Sequence, residues 1–192
     1  LIEVDRFKQA ETLAAQERFD EAIAIYRSLL SELPRELSVL YALSNALLRT
    51  NRLQEALPHL RTAVQVAPDN MDVRLMTAKV LLQLGSIEEA MSQLQTITET
   101  VPGYPVAIEA RMLIARVMTA RGQIDQAIEQ YQTIKSEDKT HAAAMELQSA
   151  NTLLGAKRFQ EALKHAHAAH EHAPQLPQTN KMLAMLYAAT GN

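Results

Sequence analysis

The 192 residues contain no cysteine, no tryptophan and only five glycines. Without cysteine there are no disulfides, no thiolate nucleophile and no cysteine-ligated metal. The glycines, at 85, 103, 122, 155 and 191, are too scattered to form a loop that cradles phosphate. An excess of one charge is also missing. The 22 acidic and 19 basic residues leave a formal net charge of −3, with no long run of either sign. That balance favours neither nucleic-acid phosphate nor an anionic membrane as a ligand. Nowhere do roughly 18 uncharged apolar residues follow one another, so no membrane-spanning helix is expected. No signal-peptide pattern opens the chain. It starts at Leu1, already in helical phase, and stops at Asn192 in mid-repeat, so it reads as a piece of a longer protein whose compartment, cytoplasmic or periplasmic, stays open. Zinc-protease spacings of the His-Glu-x-x-His kind are absent, and no nucleophile, base and orienting acid cluster. Neither catalysis nor a cofactor is expected.

What is present is repetition. Apolar residues make up 47% of the chain, a composition suited to helices. Alanine recurs at Ala22, Ala56, Ala90, Ala127 and Ala162, in steps of 34, 34, 37 and 35 residues. A period near 34 with a fixed small residue belongs to stacked helix pairs.

Aligning the copies on this alanine stacks other columns. Three residues before it stand Phe19, Leu53, Ile87, Ile124 and Phe159; four after it stand Tyr26, Leu60, Leu94, Tyr131 and Ala166. Twelve before it come Ala10, Ser44, Ala78, Ala115 and Ala150, and nine before it Leu13, Leu47, Leu81, Met118 and Leu153. Small residues let two helix backbones approach, and the large ones fill the space between pairs. Twelve after the alanine stand Pro34, Pro68, Pro102, Lys139 and Pro174. Proline ends the second helix, because it lacks an amide donor and disfavours helix in the residue before it. Asn51-Arg52, Gly85-Ser86 and Gly122-Gln123 read as the turns within pairs.

These columns resemble the tetratricopeptide repeat family over nearly the whole chain. The resemblance implies an all-α, right-handed superhelical solenoid of antiparallel helix pairs, with about 11 helices in a single array. Five copies are read at 3–36, 37–70, 71–104, 108–141 and 143–176, and the first helix of a sixth at 177–190. The sequence departs from the family pattern in two ways. The tryptophan of the first helix is replaced by Arg6, Leu40, Arg74, Arg111, Glu146 and Asn180. Copy four has Lys139 in place of proline, and extra residues around Pro102-Gly103-Tyr104-Pro105 precede it, where a change of twist is expected.

In this family the first helices line a concave groove that binds other proteins. The fifth residues of the copies, Phe7, Tyr41, Leu75, Met112 and Leu147, form an apolar stripe. The ninth residues form a polar one, with Asn45, Lys79, Arg116 and Asn151. Residues five and nine are one helical turn apart and share a face. An asparagine amide can donate to and accept from a peptide backbone, and Lys79 and Arg116 can pair with carboxylates. The expected ligand is a protein segment with apolar anchors on Tyr41, Leu75 and Met112 and an acidic group or chain end near Lys79 and Arg116. Phe7 stands where a chain-end clamp of the cochaperone kind would need a lysine, so that clamp is not expected. The resemblance also allows a scaffold segment of a bacterial assembly protein, for polysaccharide export or pilus biogenesis, or the regulatory arm of a glycosyl- or sulfotransferase.

His165, His167, His170 and His172 crowd one helix. At about 100° per residue they fall into two pairs on opposite sides. Only His167 and His170, one turn apart, are weak metal candidates, and packing or surface roles are expected for all four. The last helix carries Met182, Leu183, Met185, Leu186 and Tyr187, apolar on more than one face, and is the expected surface for self-association.

Overall fold

A computed structural model describes residues 2–134 and 138–191. Among them are eleven α-helices and no strand. They are α1 (Ile2–Ala15), α2 (Phe19–Glu32), α3 (Leu37–Arg49), α4 (Leu53–Val66), α5 (Met71–Gln83), α6 (Ile87–Thr100), α7 (Pro105–Ala120), α8 (Ile124–Thr133), α9 (Lys139–Gly155), α10 (Phe159–His172) and α11 (Pro177–Thr190). The chain divides into two compact units, Leu1–Pro102 and Gly103–Asn192, at the irregular junction after copy three. Within each unit, successive helices pack on one another.

Every turn within a pair is built the same way. Glu17, Asn51, Gly85, Gly122, Lys157 and Gly191 fall in one column, and all six have positive φ, between 58° and 80°. The amide after the left-handed residue reaches back to close the helix end. Arg18 N–H donates to Leu13 O (2.9 Å) and Glu17 N–H to Ala14 O (3.0 Å), and the same pair of bonds recurs after Leu47, Leu81, Met118 and Leu153. This is the Schellman arrangement, which satisfies orphan carbonyls of the first helix and reverses the chain. Glycine takes the required φ without strain, whereas Glu17 and Lys157 pay for a crowded Cβ.

Proline sets the other boundary. Leu33, Ala67, Val101 and Ala173, each followed by proline, have left the helical region, with φ between −128° and −146°. Copy four has no proline there, and its boundary moves. Helix α8 stops at Thr133, and Asp138 caps α9 by accepting from Thr140 N–H at 2.9 Å. Lys139 is therefore the first residue of α9, a full turn ahead of the expected start of copy five at 143.

The aligned columns form the core. Ala22, Ala56, Ala90, Ala127 and Ala162 are fully buried, as are Ala10, Ser44, Ala78, Ala115 and Ala150. Leu47, Leu60, Leu81 and Leu94 fill the space beside them in the first unit. Pro58 is the irregular element of that unit, lying inside α4 where it removes a helical donor.

The absent tryptophan is replaced by polar bridges within pairs. Arg74 donates to Gln93 Oε1 (2.8 Å), Arg111 to Gln130 Oε1 (3.3 Å), and His165 Nδ1–H to Glu146 Oε2 (2.6 Å). Each bridge spans 19 residues, and copy five reverses its sign. Between copies of the first unit run exposed ion pairs, Arg27 with Glu55, Arg61 with Glu89 (2.6 Å) and Arg52 with Asp20 (2.6 Å). Such pairs contribute about 0–1 kcal/mol each.

Candidate functional site

The two stripes read from the sequence separate in the structure. In the first unit Tyr41 of the apolar stripe is 38% exposed, but Leu75 is only 6% exposed. Helix α5 is apolar on several faces, burying Met71, Val73, Thr77, Ala78, Val80 and Leu81 as well, so Leu75 belongs to the core and is not an anchor. Phe7 is half-buried, its ring tilted against Tyr26 at 5.8 Å between centroids. Asn45 is half-buried; Lys79 is half-buried and already engaged within the protein. Sequence pattern could not separate these cases, because burial of the fifth residue depends on its neighbours and not on its own helix period.

In the second unit the apolar stripe turns inward. Met112 packs beside Ala115, Tyr131 and Met145, and Leu147 beside Ala143 and Ala169. Its polar stripe stays outside, where Arg116 of α7 and Asn151 of α9 are exposed and line one cavity of about 600 Å³. Gln148, Thr119 and Tyr131 share the lining, over a floor that includes Ile124 and Ala120. Among the described residues, no hydrogen-bond partner occupies the Arg116 guanidinium, the Gln148 and Asn151 amides or the Tyr131 hydroxyl. Among the described residues no carboxylate lines the cavity. Its convergent donors, five N–H groups on arginine and two on each amide, suit an anion.

Tyr131, placed by its spacing in a packing column, also lines the cavity. It is 3% exposed, yet among the described side chains the only solvent-excluded atom without a partner is Nε2 of His141. The phenol oxygen therefore keeps contact with solvent, although the ring is buried. The pairing of columns offered a clue. In copy one, burial and then the nearby Glu11 carboxylate push the Tyr26 phenol above its ordinary range. Glu11 and Tyr26 stand in the same two columns as Arg116 and Tyr131. Copy four thus has a cation where copy one has an acid.

Three of the four histidines of α10 contact neighbouring helices. His165 donates to Glu146 of α9, His167 Nε2 lies 3.0 Å from Tyr187 Oη of α11, and His170 Nδ1 lies 3.4 Å from Thr179 Oγ1. Because Thr179 gives its own proton to Leu176 O, His170 is the donor in that contact. Among the described residues no three metal-ligating side chains gather. On α11, Leu186 is buried while Met185 and Tyr187 are 46% and 37% exposed.

Comparison with known proteins gives the family. Two tetratricopeptide repeat models match the chain, one at residues 7–70 and one at 48–107. No curated protein matches it. Among solved structures, YrrB, described as a TPR protein with an unusual peptide-binding site, is 20% identical, with 92% of this chain and 89% of YrrB covered and a TM-score of 0.71. MamA is 18% identical, with 90% and 92% covered and a TM-score of 0.78. The C-terminal part of a TPR repeat-containing protein from Cytophaga hutchinsonii is 15% identical, with 96% and 71% covered and a TM-score of 0.78. At these identities the likeness is one of fold, the helix-pair solenoid, and the family is in general a module for binding other proteins. With its buried alanine columns, its six left-handed turns and these matches, the chain belongs to the tetratricopeptide repeat family.

Proposed function

We propose that this protein is a non-catalytic binding scaffold whose second unit holds a protein segment through an acidic group, either an Asp or Glu side chain or a chain end. The observation that carries this reading is the convergence of Arg116, Asn151 and Gln148 on one cavity where, among the described residues, they have no partners and no carboxylate shares the lining. A carboxylate entering there gains charge-assisted bonds from the guanidinium, and the amides are free to bond the segment's backbone. The volume of about 600 Å³ lies within the range of sites that enclose a ligand group. In the first unit, exposed Tyr41 and the neighbouring Asn45 offer an aromatic contact and a backbone contact. YrrB, described as a TPR protein with an unusual peptide-binding site, has the same fold and supports the reading.

Selection from a random peptide display library tests this. Wild-type protein should enrich peptides rich in Asp, Glu or a free C-terminal carboxylate, and the Arg116→Glu protein should not. Enrichment of the same sequences by both proteins would sink the proposal.

A further inference from the structure

A second cavity, of about 370 Å³, lies where α8, α9 and α10 meet, and its chemistry is opposite to that of the groove. Among the described residues its lining has no lysine or arginine and one carboxylate, Glu146. Oε2 of Glu146 accepts from His165, while Oε1 has no donor among the described residues. Ser149 gives its hydroxyl proton to Met145 O, which leaves its lone pairs as acceptors toward the cavity, and Gln132 adds an amide oxygen from α8. Ile134 and Met145 supply apolar wall. Among the described residues, the titratable groups that share this cavity or bond with Glu146 are His165 and His172 of α10 and Tyr131 of α8.

Glu146 is also the one acid in its column. Arg6, Arg74 and Arg111 hold the equivalent place in other copies, each bridging to the second helix of its pair. A bridge alone does not explain the reversal, since arginine makes it elsewhere. Helix α8 ends at Thr133, beside the copy in which the sign has changed.

We propose that this cavity is a second binding site, for the charged head of a basic side chain, lysine or arginine, on a partner protein. The ammonium or guanidinium meets Glu146 Oε1, Ser149 Oγ and the Gln132 oxygen, and the methylene stem lies on Ile134 and Met145. The site is independent of the groove, and among the described residues Tyr131 alone lines both cavities.

Titration of the ¹⁵N-labelled full chain with Nα-acetyl-lysine amide and Nα-acetyl-arginine amide, followed by NMR, tests it. At least one should bind with a Kd on the order of 1 mM, shifting the amides of Gln132, Met145, Glu146 and Ser149. The neutral Nε-acetylated lysine analogue should not bind. Glu146→Gln should weaken binding about tenfold or more. Because this substitution touches the His165 bridge, Gln132→Lys at the exposed mouth is the second variant. It leaves the core intact and should abolish binding by repulsion, whereas Arg116→Glu in the groove should leave the affinity unchanged. Absence of binding by both basic probes, equal binding of the neutral analogue, or full affinity in Gln132→Lys would overturn the proposal.

Discussion

The two compact units use the same repeat and differ in how strictly they keep it. In the first, helices of 13 and 14 residues follow one another and the alanine column recurs every 34 residues. Exposed ion pairs join each copy to the next. In the second, helix lengths run 16, 10, 17, 14 and 14, and the proline that would end copy four is missing. The regular unit puts its apolar stripe largely to packing use. The irregular one has cavities of about 600 and 370 Å³ with polar side chains that lack partners among the described residues. Loss of one helix stop thus rearranges a boundary without losing the buried alanine columns, and the departure from the repeat lies beside the candidate sites.

Substitutions at matched columns sharpen this contrast. The largest effect is expected in the regular core, where Leu94 is fully buried. Leu94→Ala should cost about 2–5 kcal/mol in urea unfolding of the full chain, since the surrounding helices cannot collapse onto the cavity. At the matching place in the second unit, Ala166 is fully buried as well, and Ala166→Leu should cost about 1–3 kcal/mol by overpacking. If Ala166→Leu were neutral, the irregular unit would have slack in its core as well as at its surface.

Next in size is Pro58→Ala, which restores a donor to α4 at an exposed position and should raise stability by about 2 kcal/mol. Glycine at the two non-glycine turns of the first and fifth copies comes after it. Glu17→Gly and Lys157→Gly relieve the left-handed strain and should each add roughly 1 kcal/mol, one in each unit. Equal gains would show that the turn is the same device in both units; a gain in only one would break that equivalence. Thermal melts read all three.

The smallest effect concerns His59 of α4. Burial, then the neighbouring Arg27, holds its pKa below the ordinary histidine value, with Glu55 opposing. A folded-state value below the unfolded one means that the unfolded chain binds the proton more tightly. Stability from this group is therefore full above the unfolded histidine value and falls as the pH drops through about 6.5. His59→Gln should flatten that part of the stability profile slightly, and a steeper profile in the variant would contradict the assignment.

Much of the fold could be read from spacing because single residues carried it. Alanine reports where helices touch, proline where the second helix stops, and Gly85 and Gly122 where the backbone needs positive φ. Left-handed Glu17 and Lys157 stand in the same column but were not legible, since their residue types do not announce a turn. The start of α9 was hidden, because a missing proline says that a helix is not stopped without saying where the next begins; the Asp138 cap settles that. The candidate site was legible only in part. Arg116 and Asn151 stand together on the exposed side of one cavity, since polar residues a turn from a packed face stay in water. Leu75 misled, because its helix is apolar on more than one side. Tyr131 looked like an ordinary core residue, and only the unbonded state of its hydroxyl marks it as part of the cavity wall.

The most direct test of the binding reading is the affinity of one acidic peptide, taken from the display selection, measured by fluorescence anisotropy against the wild-type chain and Arg116→Glu at matched ionic strength. The account predicts a loss of tenfold or more, equivalent to about 1.4 kcal/mol, with the melting temperature unchanged. An affinity the same in both proteins would contradict it.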